Sequence, residues 1–317
     1  MQYNYLGNTD LKVSEVAFGG VEIGMPYGLK MSQAKHMLQK QEAIELLHHA
    51  LDKGINFFDT ARLYGESESI MGEAFYGMRK DVILTSKCRH LRNADGSLPK
   101  REALQDIVRL SLQESLKALK TDYIDVFMLH YADMDILEID ELYEVFGNLQ
   151  KEGLIRYPGV SVYEDKETKL ALDKGVWKVI QLPFNLMDQK QGVHFKQANE
   201  QGVGLVVRSV LMRGLLTDKS FQLHPELKAV QDHMQRYRQL FNSEIDSLPA
   251  LAMKFAASIP EIASVLVGFD KLAFVDQALE IFKGRNLNED QVKLAKSLSY
   301  PDQSFLNLAQ WDKNGWL

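Results

Sequence analysis

Residues 121–162 read TDYIDVFMLHYADMDILEIDELYEVFGNLQKEGLIRYPGVSV. The stretch opens on a short β-rich run, Tyr123 to His130, of strand length. Leu142, Val145, Phe146 and Leu149 then recur at i, i+3, i+4 and i+7, one apolar stripe of an amphipathic helix. Gly153 follows as the left-handed residue that ends such a helix. A second run, Tyr157 to Val162, completes a strand–helix–strand unit.

The same alternation continues in both directions. Upstream lie the runs Val16 to Gly20, Ile55 to Thr60 and Val82 to Lys87; downstream lie Val179 to Phe184, Gly204 to Ser209 and Ser264 to Phe269. Between them fall further helical stripes: Ile44, Leu47 and Leu51; Val108, Leu112, Leu116 and Leu119; Leu248, Leu251, Ala252, Phe255 and Ile259. Gly54 and Gly202, like Gly153, stand just past predicted helices. Eight strands alternating with helices over about 250 residues predict an α/β fold, a closed (β/α)8 TIM barrel. An open doubly wound sheet is the rival. It needs G-x-G-x-x-G after the first strand, whereas FGGVEIGMPYG here lacks that spacing and opens no obvious helix.

Around Gly7-Asn8-Thr9-Asp10, residues Tyr3 to Val13 read as an N-terminal β-hairpin. Two segments exceed ordinary loop length, Leu211 to Asn242 and the tail after Leu298. They predict extra loops or helices over the C-terminal face, with Phe305, Trp311 and Trp316 placed either over the barrel mouth or on its outside. The expected organisation is one domain over residues 1–317.

Composition narrows the function classes. Thirty-seven basic and 43 acidic residues give a net charge of −6 with no basic run, against nucleic acid or an anionic membrane as a main partner. The one cysteine, Cys88, permits neither an internal disulfide nor a Cys-based zinc site, and predicts a reducing, cytoplasmic setting. No signal-peptide pattern and no apolar run of about 18 residues is present. No interface stripe is visible, so the expected state is a monomer.

In a (β/α)8 barrel the reactive groups stand where strands end at the C-terminal face. Those ends carry Asp59, Lys87 and His130, with Tyr64 just beyond the second strand in DTARLYG. Each has a plainer reading: a helix cap, a solvated strand end, a packed imidazole, a surface aromatic. Strand parity groups Asp59 with Ile55 and Phe57, Lys87 with Ile83 and Thr85, and His130 with Ile124, Val126 and Met128, so all three can point inward. Together they suit proton transfer from a tyrosine. A nearby ammonium would lower a phenol from its ordinary value of about 10. A carboxylate would hold the lysine, and an imidazole N–H would orient a carbonyl oxygen. No side chain donates hydride, so that chemistry calls for a nicotinamide cofactor and for no metal.

These segments resemble the aldo-keto reductase superfamily. DTARLYGESE resembles its Asp-Thr-Ala-x-x-Tyr-Gly segment, ILTSK its lysine strand, YIDVFMLHYAD its histidine strand and IRYPGVSV the strand ending Gly-Val-Ser-Asn. VIQLPFNL is similar to its Gln-x-x-x-Asn strand and SVLMRGLLT to its Ser-Pro-Leu-x-x-Gly-Leu-Leu-Thr cofactor loop, and the likeness runs from about Tyr3 to Leu298. It implies an enzyme binding NADP(H) or NAD(H) without a Rossmann motif. Tyr64 would be the general acid/base, Lys87 and Asp59 would tune it, and His130 would orient the substrate carbonyl. Ser161 and Gln181 would hold the nicotinamide carboxamide. The backbone of 209–216, with Ser209, Leu211, Arg213, Gly214 and Leu216, would embrace the pyrophosphate. Gly268 would open the loop facing the adenosine phosphate, with Gln277 near the adenine.

Four positions depart from that pattern. Val162 replaces an Asn that contacts the carboxamide, and Ala278 an Asn at the adenine edge. Arg208 replaces an aromatic that stacks on the nicotinamide, a role a planar guanidinium can fill. Asp270 stands where many NADPH-dependent relatives carry a basic or hydroxyl residue; a carboxylate there repels a 2′-phosphate and can bind a free 2′-hydroxyl. Lys271 and Arg213 offer phosphate charge in return, so both cofactors are expected, NADP(H) first on the family's habit. Val21, Glu22, Tyr131 and Tyr163 border the rim and suggest a polar carbonyl or sugar substrate. One alternative is a non-catalytic partner protein on the same fold, like the potassium channel beta subunits. A metal-dependent hydrolase is another, for which only Asp59 and His130 fit.

Overall fold

A computed structural model describes residues 1–28, 37–217, 223–284 and 286–317. Two short strands, β1 (Tyr3–Tyr5) and β2 (Lys12–Ser14), pair antiparallel as the expected hairpin, with Asn4 opposite Val13. Eight parallel strands then close a barrel: β3 (Val16–Gly19), β4 (Phe57–Asp59), β5 (Ile83–Lys87), β6 (Ile124–Leu129), β7 (Ile155–Ser161), β8 (Val179–Pro183), β9 (Gly204–Arg208) and β10 (Ile262–Gly268). β10 returns to β3, pairing Val265 with Val16. Every sequence-read strand is present, its ends moved by one or two residues.

Each strand is followed by a helix that packs on the barrel's outside. Asp140–Lys151 buries its whole stripe, Leu142, Val145, Phe146 and Leu149; Arg101–Ala118 buries Val108 and Leu112 of its own, with Leu116 partly buried and Leu119 buried just past the helix end. Gly54, Gly153 and Gly202 all have positive φ (98°, 74° and 68°), as the helix-ending role requires. One correction concerns the turn after β3: Val21–Gly24 forms a single helical turn where the sequence showed none.

Parity holds through the middle of the barrel. Phe57, Val126, Met128, Val179 and Val206 fill an interior cluster with Ala17, and Leu6, Leu11 and Val13 of the hairpin plug its lower end. Ile55 and Ile124, expected inside, belong to the outer cluster instead. Ile55 stands before β4, where alternation has not begun, and Ile124 is the first residue of β6.

The surplus segments pack on one another. Described residues after β9 include the helix Lys228–Gln235 and the 3₁₀ turn Arg236–Leu240; 218–222 lie outside the described residues. The Tyr237 hydroxyl donates to the carbonyls of Leu186 and Leu298, both at 2.8 Å. Tyr300 N–H donates to Met187 O at 2.9 Å, and Gln189 N–H to Gln303 Oε1 at 2.8 Å. The tail is thereby tied to the loop above β8. The rings of Phe305, Trp311 and Trp316 meet one another, Tyr300 and His224, and none of the catalytic candidates. Among the described residues no helix is long and apolar enough to cross a membrane.

Candidate active site

Pairing beyond the formal strand ends fixes the upper rim. Gly20 N–H donates to Asp59 O, Arg62 N–H to Lys87 O, Cys88 N–H to Met128 O and Val162 N–H to Gln181 O, at 2.8 to 3.1 Å. Asp59 and Lys87 are the last residues of β4 and β5, and His130 directly follows β6. All three are buried. Lys87 Nζ lies 2.6 Å from both Asp59 oxygens and donates to Thr60 O at 3.0 Å. Gln181 Nε2 donates to Asp59 Oδ1 at 2.7 Å. The partly exposed Tyr64 places its ring centroid 4.9 Å from Lys87 Nζ and 5.7 Å from the His130 ring, edge to face at 84°. The four catalytic candidates therefore meet at one point of the rim.

Their electrostatics differ in one respect from the sequence expectation. Burial, reinforced by the Asp59 carboxylate, holds the Tyr64 phenol well above its ordinary value, although Arg208 pulls the other way. The lysine was expected to lower it. Lys87 is instead engaged by Asp59 in a doubly bonded pair, and at the phenol burial and the Asp59 charge decide the direction. Burial also draws the Lys87 ammonium below the usual lysine value. Burial, then the Lys87 charge, holds His130 well below the ordinary histidine value, so its imidazole is neutral at pH 7. The site is thus set with the tyrosine protonated and the histidine uncharged.

Ser161 and Gln181 are register partners on β7 and β8, both 1% exposed. Gln181 Oε1 and His130 Nδ1 are buried with no hydrogen-bond partner. Orphaned groups of this kind ask for an incoming donor or acceptor, and a carboxamide at Gln181 satisfies the first. Above β9 the backbone is strained: Ser209, Met212 and Arg213 have φ of 60°, 46° and 56°. Asn185 Nδ2 holds the Ser209 carbonyl at 3.3 Å. Leu211 and Leu216 close that loop through a 3.1 Å backbone bond, and Gly214 follows with φ 103°. The Arg213 guanidinium lies 5.4 Å from the Tyr27 ring centroid. Asp270, beyond β10, has no ion-pair partner among the described residues, and Gln277 is exposed on the helix Leu272–Lys283. These residues fit a dinucleotide lying over β7 to β10.

Two of the departures gain a structural context, and the reading of Glu22 changes. Ala278 is 1% exposed and packs into the core, so its side chain presents nothing to an adenine edge. The Val162 side chain is buried in the outer cluster, while its carbonyl accepts from Arg208 Nη2 at 3.0 Å. Glu22 comes from the helical turn Val21–Gly24 to lie directly against Gly268; a Cβ there would collide with its carboxylate. The structure thus groups Glu22 with the expected cofactor loop.

A row of rings borders the mouth. His130 meets His90 at 4.8 Å between centroids, His90 meets Tyr131 at 5.8 Å, and Tyr131 meets Tyr163 at 4.8 Å. The Arg208 guanidinium covers Tyr163 at 4.0 Å. Glu167 fixes the Tyr163 end, its Oε2 accepting from Tyr163 N–H at 2.7 Å. His90 escaped the sequence reading, which stopped at strand ends; its position three residues past Lys87 was the available signal. A second network was also missed. Arg62 pairs with Glu68, whose other oxygen accepts from Ser86 Oγ at 2.5 Å, tying the Tyr64 loop to β5. Among the described residues no cluster of metal-ligating groups occurs.

The sequence model of the Aldo/keto reductase family matches residues 16–299. The chain is 30% identical over 318 residues to the oxidoreductase YqkF of Bacillus subtilis, covering 95% of this chain and 98% of that one. It is 28% identical to L-galactose dehydrogenase of Arabidopsis thaliana, covering 92% and 91%. Among solved structures, the holo form of an aldo-keto reductase of Bacillus halodurans superposes with a TM-score of 0.80 at 27% identity, covering 96% and 99%.

Proposed function

The chain belongs to the aldo/keto reductase family, and from that premise we propose that it interconverts a carbonyl group and its alcohol, with Tyr64 as general acid/base. The observation that carries this reading is the meeting of Asp59, Lys87, Tyr64 and His130, with a buried Lys87–Asp59 pair 4.9 Å beneath the tyrosine ring. A nicotinamide cofactor, when bound, supplies the hydride. Ser161 and Gln181 would hold its carboxamide, the 209–216 loop its pyrophosphate, and Gly268 and Gln277 its adenosine end.

This chain's own residues handle the proton. Tyr64 stays protonated at neutral pH because its phenol is raised, so it gives its proton to the carbonyl oxygen as charge builds there. The neutral His130 offers one ring N–H to the same oxygen and fixes its direction. Lys87 stabilises the phenolate left behind, and Asp59, held by Gln181, keeps the ammonium in place. In the oxidative direction the same proton returns to Tyr64.

Either cofactor suits the adenosine end. The Asp270 carboxylate, without an ion-pair partner among the described residues, supports NADH, whereas Arg213 and the family's habit support NADPH. The ring-lined mouth supports aldehydes, ketones or sugars as substrates. The test follows absorbance of the reduced nicotinamide against a panel of these. Tyr64→Phe is expected to lose on the order of 10³-fold in kcat while fluorescence titration finds cofactor affinity unchanged. Near wild-type turnover in that variant would overturn the tyrosine acid.

A further inference from the structure

The geometry points to Arg208 as an anchor for an anionic group, carboxylate or phosphate, on the carbonyl substrate. This rests on the carbonyl-reducing reading above and names a substrate class for it.

Arg208 is the last residue of β9, and it shares parity with Val206, which lies in the barrel interior. Its side chain therefore enters the mouth from the strand next to β8, which carries Gln181. Its charge is near enough to act on Tyr64, Lys87 and His130 alike. The guanidinium carbon lies over the Tyr163 ring, 4.0 Å from its centroid. Two N–H groups are committed, Nη2 to Val162 O at 3.0 Å and Nη1 to Ser209 Oγ at 3.3 Å. Both acceptors are neutral. A guanidinium has five N–H donors, and among the described residues no carboxylate lies within ion-pair distance of this one.

The other cation at the centre is already matched. Lys87 is doubly bonded to Asp59, so its charge already has a carboxylate partner. His130 is neutral, and His90 is drawn below its ordinary value by burial. Glu22, the carboxylate on the turn above β3, lies against Gly268. Among the described residues, what remains is the Arg208 charge, without an ion-pair partner, at the end of the ring row that starts at His130. A guanidinium fork fits a carboxylate or phosphate far better than it fits a neutral hydroxyl. The Tyr163 ring contact and the two hydrogen bonds hold that fork in place, so little freedom is lost when an anion arrives.

The test uses two matched pairs, 4-oxobutanoate against its methyl ester, and glyceraldehyde 3-phosphate against glyceraldehyde. In the wild type kcat/KM is expected to favour the charged member of at least one pair about tenfold or more. The pair that shows the preference identifies carboxylate or phosphate as the group. In Arg208→Met the ratio within that pair falls to near one, whatever happens to the rate common to both members. Arg208→Lys, which keeps the charge, restores part of it. Absence of any charge preference in the wild type overturns the proposal. So does a loss in Arg208→Met that falls equally on both members and tracks weaker cofactor affinity, which would assign the arginine to the nucleotide. Calorimetry with succinate and with inorganic phosphate separates the two readings. An Arg208-dependent anion affinity with no turnover of any carbonyl keeps the anchor and removes the oxidoreductase reading. Turnover without charge preference does the reverse.

Discussion

The two ends of the barrel treat polar groups in opposite ways. At the lower end Asp125 of β6 is buried and fully matched. It accepts from Arg79 Nη2 at 2.6 Å, Arg156 Nη1 at 2.9 Å and the Leu84 N–H at 2.9 Å. Arg156 reaches on to Asp10 of the hairpin turn, which also accepts from the Tyr157 hydroxyl at 2.8 Å. At the upper end Gln181 Oε1 and His130 Nδ1 are buried without partners. Four of the five non-glycine residues of positive φ, Tyr131, Ser209, Met212 and Arg213, also stand there. Buried groups without partners occur elsewhere too, Trp177 Nε1 at the base of β8 among them, but at the upper end they coincide with a run of strained backbone, where binding can supply the missing partner. The lower end spends the same chemistry on holding strands and hairpin together.

If that division is right, damage at the lower end is a stability event and nothing else. Asp125→Ala leaves two guanidinium groups and a strand N–H without their acceptor. The arginines are partly exposed, which softens the loss, so about 3 kcal/mol is expected. Urea denaturation reads the change, while kcat per folded molecule stays within about twofold, a margin small on the scale of transition-state energies. A normal denaturation midpoint, or a large fall in kcat with the fold intact, would break the comparison.

The upper end carries a smaller, pH-dependent liability. His130 is held well below its ordinary value, so below about pH 6.5 the unfolded chain takes up a proton that the folded chain refuses. Stability is therefore unaffected by this group above that pH. As pH falls through about 6.5 toward the folded value, it is lost at up to about 1.4 kcal/mol per unit. His130→Gln should flatten the stability–pH slope in that window relative to the wild type. His90 and His194 are lowered too, so the difference between the two proteins is the quantity to read. Identical slopes would mean that His130 is not held neutral by its surroundings.

What the sequence revealed follows from the range of the interactions. Strand order, inward parity and the rim positions of Asp59, Lys87 and His130 are written in local periodicity, and they hold in the structure. The lower-end network was invisible. Asp125 looks like any polar residue alternating in a strand until Arg79 and Arg156, 46 and 31 residues away, are brought to it. Glu22 against Gly268 is likewise a contact across the closure of the barrel, where β10 meets β3. The tyrosine's upward shift could not be read either. Charge signs along the chain suggested that Lys87 would lower it, whereas burial and the closeness of Asp59 decide the outcome.

Cys88 gives the finest cut through the comparison, because it adjoins Lys87 in sequence yet belongs to the packing layer. Its neighbour points into the barrel, so alternation turns the thiol outward, and it lies fully buried in the outer cluster. Burial pushes its thiol up to about 12, leaving almost no thiolate at neutral pH. Cys88→Ala is therefore expected to keep kcat within about twofold and to lower stability by about 1 kcal/mol, the scale of a small core truncation. The native thiol should resist alkylation until the chain unfolds. Loss of turnover in a folded Cys88→Ala protein would show that the boundary between the two layers does not run between residues 87 and 88. Retained activity, with labelling only on unfolding, would place it there.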